Sequence, residues 1–425
     1  MNILVVGGGG REHALCWAIS KSASVFCAPG NPGTAQLGTN LPIKDSDLDG
    51  ILGAVSEHNI DLTVVGPEAP LAVGLADKLE RAGHRVFGPV EEAARIEASK
   101  AFAKEAMERA GVPTASGASF RDEGRALSYL KELDEPIVVK ASGLAAGKGV
   151  LICESRSSAE TAVKEMFAGR FGSAGSEVVI EEFLEGEELS VLAITDGENS
   201  MLLPASQDHK RVGEGDTGPN TGGMGAYCPV SVADEKLLHR VKAEVISPIL
   251  SGMAESGAQY KGVLYAGIMI SPAGDPLVLE FNCRFGDPEA QVVLPALDFD
   301  LVEHMWQIAA GETWRPDVLF RKPRCAAVTT VLAARGYPAS PEKGAEIRIP
   351  EELPADTVLF HAGTARDEEG ILRASGGRVL SATGMGRTVS EAVSNSHALA
   401  ESIEFESKFY RKDIAWREVR RAGTS

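Results

Sequence analysis

At 425 residues the chain exceeds what one hydrophobic core usually organises, so about three domains are expected. It is 44% hydrophobic and 24% charged with a net charge of −18, a globular composition that argues against nucleic acid as a partner, because a phosphate backbone needs a basic face. No apolar run approaches the ~20 residues of a membrane span, and the opening MNILVVGGGGREH reads as a first strand rather than a leader peptide.

Residues 1 to about 90 alternate short apolar runs with helical stretches. NILVV (2–6) meets GGGG and a helical pattern from Arg11 to Lys21; SVFCA (24–28) ends in PGNPG; DLTVV (61–65) ends in GPEAP. This rhythm predicts a doubly wound parallel sheet whose loops converge at the carboxyl ends of the strands. Both frames of GGGGREH fail the dinucleotide spacing GxGxxG, since the last position falls on Glu12 or His13. A glycine loop opening a helix still makes a site for a single phosphate, with Glu12 and His13 orienting the loop rather than catalysing.

The stretch 91–111 reads as a helix broken near Glu97–Ser99, where a serine can cap a second helix, and the linker is placed there. The middle region, to about residue 315, mixes helices with the strands IVVKA, VLICE, EVVIEEF, ELSVLAIT, GVLYAGIMI and PLVLEFN. Residues 206–226 are glycine-rich and aperiodic, and a loop that long is usually functional. From Arg324 onward AAVTTVLAA, EIRI, VLFHAG and RVLSATG, with a helix from Thr388 to about Ile403, predict a third, α+β domain. The six cysteines (16, 27, 153, 228, 283 and 325) are scattered without a CxxC pair, as for reduced thiols of a cytoplasmic protein.

Three segments carry chemistry. IVVKASGLAAGKGV (137–150) is strand, small-residue loop, strand. As a Walker A loop it is one residue short from Gly143 to Gly147, has Gly149 in place of Ser or Thr, and leads into a strand rather than a helix. It reads as a β-hairpin lid over a nucleotide, or as a plain tight turn. EVVIEEFLEGEEL (177–189) sets a strand against an acidic turn that can read adenine and ribose, although an acidic run is often only a solvated face. In PLVLEFNCRFGDPE (276–289), Glu280, Asn282 and Arg284 alternate and so share one strand face. Glu280 and Asn282 supply oxygens for a hard cation and Arg284 can steady a phosphoryl group; an internal Glu–Arg pair is the alternative.

A glycine lid after IVVK, an acidic hinge and a late E-x-N strand, in that order, resemble the ATP-grasp ligases. Within them the chain is similar to the phosphoribosylamine–glycine ligase family in GGREHAL (9–15), APGNPGT (28–34), VGPEAPL (65–71), GLAAGKGV (143–150), SQDHKR (206–211), DTGPNTGGMGAY (216–227), EFNCRFGDPE (280–289), FHAGT (360–364), GGRVL (376–380) and RKDIAWR (411–417).

The resemblance implies an α/β and α+β multidomain fold. It comprises a doubly wound, biotin-carboxylase-like N-terminal domain (1–100), an ATP-grasp core (101–320) with a mobile lid subdomain at about 115–190, and a C-terminal α+β domain (321–425). It also implies ligation of glycine to 5-phosphoribosylamine through glycyl phosphate, with ATP and Mg2+ or Mn2+, in a cytoplasmic monomer that acts on small molecules, away from nucleic acid and membrane. By the same resemblance Lys104 and Lys140 contact ATP phosphates under a lid containing Gly143, Gly147, Lys148 and Gly149. Glu181, Glu182 and Leu184 hold adenine, Glu188 the ribose, and Glu280 and Asn282 the metal. Asp208, Lys210 and Arg284 stand near glycine and the acyl phosphate, and Gly10, Asn31, Pro67 and Glu68 near phosphoribosylamine. One departure stands out: the strand before E-x-N, GVLYAGIMI, lacks the acid that such enzymes often carry, which points to a looser metal site with more water.

Three rival readings are weaker. Another ATP-grasp ligase is disfavoured by TGPNTGGMGAY, a nucleotide-binding regulator by the presence of Glu280, Asn282 and Arg284 together, and a dinucleotide-dependent dehydrogenase by the glycine spacing.

Overall fold

The computed structural model describes residues 1–145, 148–311 and 314–423. The three apolar runs of the N-terminal region form the strands Asn2–Gly7, Ser24–Pro29 and Leu62–Val65, with short strands Thr39–Asn40 and Val86–Phe87 at the two edges. All pairings are parallel, and Asn2–Gly7 sits at the centre between Ser24–Pro29 and Leu62–Val65. Gly7 lies opposite Pro29 and Val6 opposite Val65, so the three following loops start level with one another. The winding reverses at this central strand, which is where such sheets open a crevice.

The linker helices Glu91–Ala98 and Lys100–Ala110 part at Ser99, whose hydroxyl accepts the Phe102 N–H at 3.2 Å. A serine with extended backbone at this position satisfies one orphan donor of the second helix, as expected. Beyond it lies a four-stranded antiparallel sheet in the order Gly117–Phe120, Val178–Glu182, Ile137–Ala141, Val150–Cys153. Its strands bury Ile137, Val139 and Ile180 against Ala159, Val163 and Met166 of the helix Arg156–Phe167, an apolar cluster separate from the main cores. This unit therefore has an apolar core of its own.

A second antiparallel sheet runs Ser200–Leu202, Glu187–Thr195, Gly262–Ile270, Pro276–Asn282. In the third sheet the fully buried strand Ala326–Ala334 pairs with Gly225–Cys228 on one side and Arg378–Gly386 on the other, with Thr357–His361 beyond. The helix Val389–Ser402 packs against this sheet, burying Ala392 and Leu399. EIRI, expected as a strand, makes only the isolated bridges Glu346–Arg373 and Arg348–Glu404. Pro350 follows it directly and cannot donate to a ladder.

The stretch 206–226 is more ordered than its composition suggests. Gln207–Asp208 and Gly225–Cys228 belong to the third sheet, and between them Arg211–Gly213 and Thr217–Asn220 form a hairpin turned by Gly215 (φ 67°) and Asp216 (φ 56°). Strands of two to four residues are too short to display alternation. Among the described residues no helix is long and apolar enough to cross a membrane.

Candidate active site

One cavity of about 480 Å³ opens where the sheet containing Ile137–Ala141, the second antiparallel sheet and the N-terminal region face each other. Part of its wall is apolar (Met107, Val138, Ile152, Val179, Leu184, Met269), and part is charged (Arg11, Glu68, Arg284, Asp287, Glu289, Arg378). Glu280 links the two, with Lys140 and Lys100 near it as well as Lys210 and Arg284.

On the N-terminal side the glycine loop is tied from several directions. Gly7 has φ +118°, and a Cβ there would stand 2.6 Å from Cγ of Glu12. Glu12 folds back to accept the Gly9 N–H at 2.6 Å and Arg11 Nε–H at 2.6 Å. His13 Nδ1 accepts the His361 N–H at 2.7 Å, which leaves the ring proton on Nε2; burial, then the neighbouring His361, push its pKa down to about 3. Both residues therefore orient the loop.

Asn31 donates to the carbonyls of Gly8 (3.0 Å) and His361 (2.9 Å) and accepts the Gly33 N–H at 2.8 Å. Its side chain is wholly engaged in the scaffold. Gly10 opens the helix Gly10–Ile19, and Pro67 precedes the short helix Glu68–Ala72. Of the four residues expected at phosphoribosylamine, Glu68 lines the cavity directly.

On the lid side Glu181 is buried between two ammonium groups, with Lys104 at 3.0 Å and Lys140 on its other oxygen. Lys140 also donates to the Leu279 carbonyl at 3.1 Å, tying the lid to the strand Pro276–Asn282. Lys104 donates as well to the Ala115 carbonyl, so its ammonium faces Glu181 rather than the open cavity. Lys100, one turn earlier, is the lysine of this helix that lines the cavity; burial lowers its pKa while Glu280 pulls the other way. Nothing in the sequence distinguishes Lys100 from an ordinary surface lysine at a helix start.

Leu184 and Gly149 line the cavity. Gly143 packs on Ala174, and Lys148 is exposed with Nζ 3.5 Å from the Pro338 carbonyl. Gly147 lies outside the described residues. Glu182 accepts the Ser116 N–H at 2.7 Å, and Glu188 pairs with Lys210 at 2.7 Å. Burial opposes the charge on Lys210, but Glu188, Glu280 and Asp208 outweigh it and hold the ammonium protonated.

Burial would raise the pKa of Glu280, yet Lys210, Lys100, Lys140 and Arg284 prevail and keep it below the ordinary carboxylate value. The strand ends at Asn282, so Arg284 meets Asn282 by folding back from the next bend, not by alternation along the strand. Arg284 Nη2 donates to Glu97 at 2.8 Å and to Asn282 Oδ1 at 3.0 Å, and Nε lies 3.4 Å from Glu68. Glu97 also accepts the Cys283 N–H at 2.7 Å, fixing the start of the turn to the linker helix.

Magnesium suits the donor set at Glu280 and Asn282, which offers oxygen and no thiolate or imidazole. The Asn282 Nδ2 is buried without a partner, so this amide retains hydrogen-bonding capacity that a bound group can use. Gly267 stands opposite Glu280 and Tyr265 opposite Asn282, which accounts for the absent third acid. Among the described residues no group of three or more His, Cys, Asp or Glu is placed to hold a metal.

Asp208 lies at the other wall, its pKa raised by burial and by Glu289 against the pull of Lys210 and Arg378. Glu289 accepts Tyr265 Oη–H at 2.6 Å and Ser190 Oγ–H at 3.1 Å. Arg378, from the third sheet, donates to the Asp287 carboxylate and carbonyl at 2.8 Å each and also to the Gly222 carbonyl. Glu97, Tyr265 and Arg378 reach the site from distant segments; Arg378 stands in the GGRVL block, but no local pattern marks any of the three for its place here. Phosphates and an anionic acceptor can be held here by fixed cations.

The chain matches three family descriptions in succession: the N domain of phosphoribosylglycinamide synthetase over residues 1–97, its ATP-grasp (A) domain over 98–290, and its C domain over 327–417. Relatives named phosphoribosylamine–glycine ligase from Caulobacter vibrioides and Salmonella typhimurium are each 47% identical, with 99% of both chains covered. The crystal structure of the Thermotoga maritima phosphoribosylamine–glycine ligase superposes with a TM-score of 0.87 at 39% identity, covering 98% of this chain and 100% of that one. The biotin carboxylase domain of Hydrogenobacter thermophilus 2-oxoglutarate carboxylase, solved with MgADP, ADP and bicarbonate, shares the fold: TM-score 0.73, 18% identity, covering 96% and 91% of the two chains.

Proposed function

Because the chain belongs to the phosphoribosylglycinamide synthetase family, we propose that it is the ATP-dependent ligase joining glycine to 5-phosphoribosylamine, with glycinamide ribonucleotide, ADP and phosphate as products. The observation that carries this reading is the single cavity in which an apolar wall under the lid, a cluster of lysines around Glu280, and the Arg284–Glu68 contact to the N-terminal domain are continuous. Nucleotide, phosphates and amine acceptor then lie along one path.

A carboxylate does not acylate an amine at neutral pH without a good leaving group. In the first step a glycine carboxylate oxygen attacks the γ-phosphorus of ATP and the bond to the β-phosphate oxygen breaks, leaving glycyl phosphate and ADP. In the second the amine of phosphoribosylamine attacks the acyl carbon, phosphate departs, and the amine gives up its proton. Phosphoryl transfer depends on positioning and charge neutralisation more than on a covalent intermediate with the protein. Lys100 and Lys140 are assigned to the ATP phosphates, with Lys104 holding Glu181 beside the adenine end, where Glu182 and Leu184 form the hinge and Glu188 takes the ribose. The lid segment with Gly143, Lys148 and Gly149 closes over them. Arg284, Lys210 and Asp208 face the glycine and the acyl phosphate. Gly10, Asn31, Pro67 and Glu68 shape the phosphoribosylamine end, Asn31 by bracing the glycine loop. Magnesium or manganese on Glu280 and Asn282 would offset phosphate charge. The enzyme is read as a cytoplasmic monomer.

Purified protein with ATP and magnesium should release ADP in quantity only when glycine and phosphoribosylamine are both present, and Glu280→Gln should lower turnover and raise the magnesium requirement. ADP release indifferent to phosphoribosylamine would overturn the assignment, and an unaltered Glu280→Gln enzyme would move the metal elsewhere.

A further inference from the structure

The hairpin 211–220 bears a cavity residue at each end. Lys210 immediately precedes it, Asn220 ends its second strand, Thr221 and Gly222 follow, and all four line the cavity. The two ends are joined at the base, where Thr221 N–H and Oγ–H both donate to the Lys210 carbonyl, at 2.7 and 2.9 Å. Little apolar surface holds the hairpin down: its residues are RVGEGDTGPN, with Val212 the one large aliphatic side chain.

What holds it is the C-terminal segment 411–417. Arg411 is 1% exposed; Nη1 donates to the Arg211 carbonyl and to Asp216 Oδ1, both at 3.0 Å, while Nε and Nη2 fork onto Asp413 at 2.7 and 2.8 Å. Arg417 reaches the other Asp216 oxygen at 2.6 Å, Asp413 accepts the Gly215 N–H at 2.8 Å, and Glu214 accepts the Lys412 N–H at 3.0 Å. His209, one residue before Lys210, accepts the Ala415 N–H on Nε2 at 3.2 Å. A buried arginine whose charge is shared by two carboxylates and a carbonyl is costly to leave half-paired, so the contact is made whole or not at all. Asp216 sits at φ 56°, a backbone state that aspartate tolerates better than most residues, at the turn the two arginines grip.

We infer that Arg411, acting through Asp216 and the hairpin, is a positioning residue for the ligation, setting where Lys210 and the Asn220–Gly222 backbone stand in the cavity. The inference rests on the functional reading above only for what is being positioned. None of the latch residues lines the cavity, so their effect on chemistry passes through the hairpin. A displacement of about 1 Å at a reacting centre can cost on the order of 10²-fold in rate, so a loosened hairpin base is expected to be visible in kinetics before it is visible in folding.

Two measurements test it. In steady-state assays Asp216→Asn should lower kcat and raise the glycine KM, each by about tenfold, while the ATP KM stays within about twofold; Arg411→Lys, which keeps the charge and loses the fork, should show the same split. Unchanged constants, or glycine and ATP KM rising together, would overturn the proposal. Amide hydrogen exchange needs no turnover: in Asp216→Asn, exchange at residues 209–223 should rise while the lid and the N-terminal sheet keep wild-type protection. Unaltered exchange there refutes the latch. Wild-type protein that fails to ligate glycine refutes the functional reading, and exchange still decides the latch.

Discussion

The molecule has two glycine-rich loops, one leading into Arg11 and the other into Gly149 on the wall of one cavity, and they are held in different ways. The loop at Gly7–Gly10 is gripped by side chains from several parts of the chain: Glu12 from its own helix, Asn31 from the next loop, and His13 bonded to the His361 backbone some 350 residues away. The lid loop after Ala141 has backbone ties to its own hairpin and to the neighbouring turn, with Ala141 N–H to Gly149 O at 2.8 Å and Gly143 N–H to Ala174 O at 3.1 Å. In the first loop glycine makes room for a tight packing of polar side chains. In the second, Gly143 and Gly149 let the backbone approach Ala174 and Ala145 closely. Glycine content alone therefore does not say whether a phosphate loop is a platform or a lid; the side chains that reach it do.

The largest effect that would sharpen this contrast is Gly33→Ala. Its Cβ would stand 2.1 Å from Cε1 of His13 and 2.7 Å from Cδ2 of His361, with no flexible chain to give way. A loss of about 3 kcal/mol or more of unfolding free energy is expected in denaturant titration. A near-wild-type midpoint would mean that the platform is looser than its contacts imply.

Next comes pH. Burial, the leading cause in each case, depresses His13 to about 3 and His361 to about 4, so the unfolded chain, near 6.5, takes up protons first. Their contribution is intact above pH 6.5 and is lost as pH falls toward 4, at about 1.4 kcal/mol per pH unit for each histidine. Comparing stability at pH 7 and 5, His13→Gln should lose less than wild type; an equal loss would remove His13 from the account.

The smallest stability effect is expected in the lid. Gly149→Ala brings a methyl within 2.7 Å of the Ala145 methyl, on a hairpin that can shift. Unfolding free energy should change by less than about 1 kcal/mol, while the ATP KM rises severalfold. A variant as unstable as Gly33→Ala would erase the distinction between the two loops.

Legibility in the sequence followed the range of the interaction. The parallel N-terminal strands, the serine cap at Ser99, the lid hairpin and the cavity-facing pair Glu280 and Asn282 announce themselves within a dozen residues, through alternation, capping or glycine spacing, whereas Arg284 reaches the cavity from the bend after the strand and not by the alternation expected of it. The family resemblance carried the expectation of a phosphate contact to Lys104, yet one helical turn decides which lysine faces the cavity, and Lys100 does. Glu97 and Arg378 were illegible for another reason: their partners, Arg284 and Asp287, are about 187 and 91 residues away. The short strands within 206–226 are defined by pairing with segments far along the chain, so no local pattern could mark them.

That last pairing has a consequence for biosynthesis. Gly225–Cys228 bonds to Ala326–Ala334, which in turn needs Arg378–Gly386 to cover its other edge. At a synthesis rate of roughly 5–20 residues per second, the middle of the chain waits on the order of ten seconds for its partners to leave the ribosome. During that interval Ala226, Tyr227 and Cys228, all 0% exposed in the finished fold, sit on an open strand edge. Truncations that stop near residue 320 would make that interval permanent, giving a nascent intermediate that aggregates rather than a smaller enzyme.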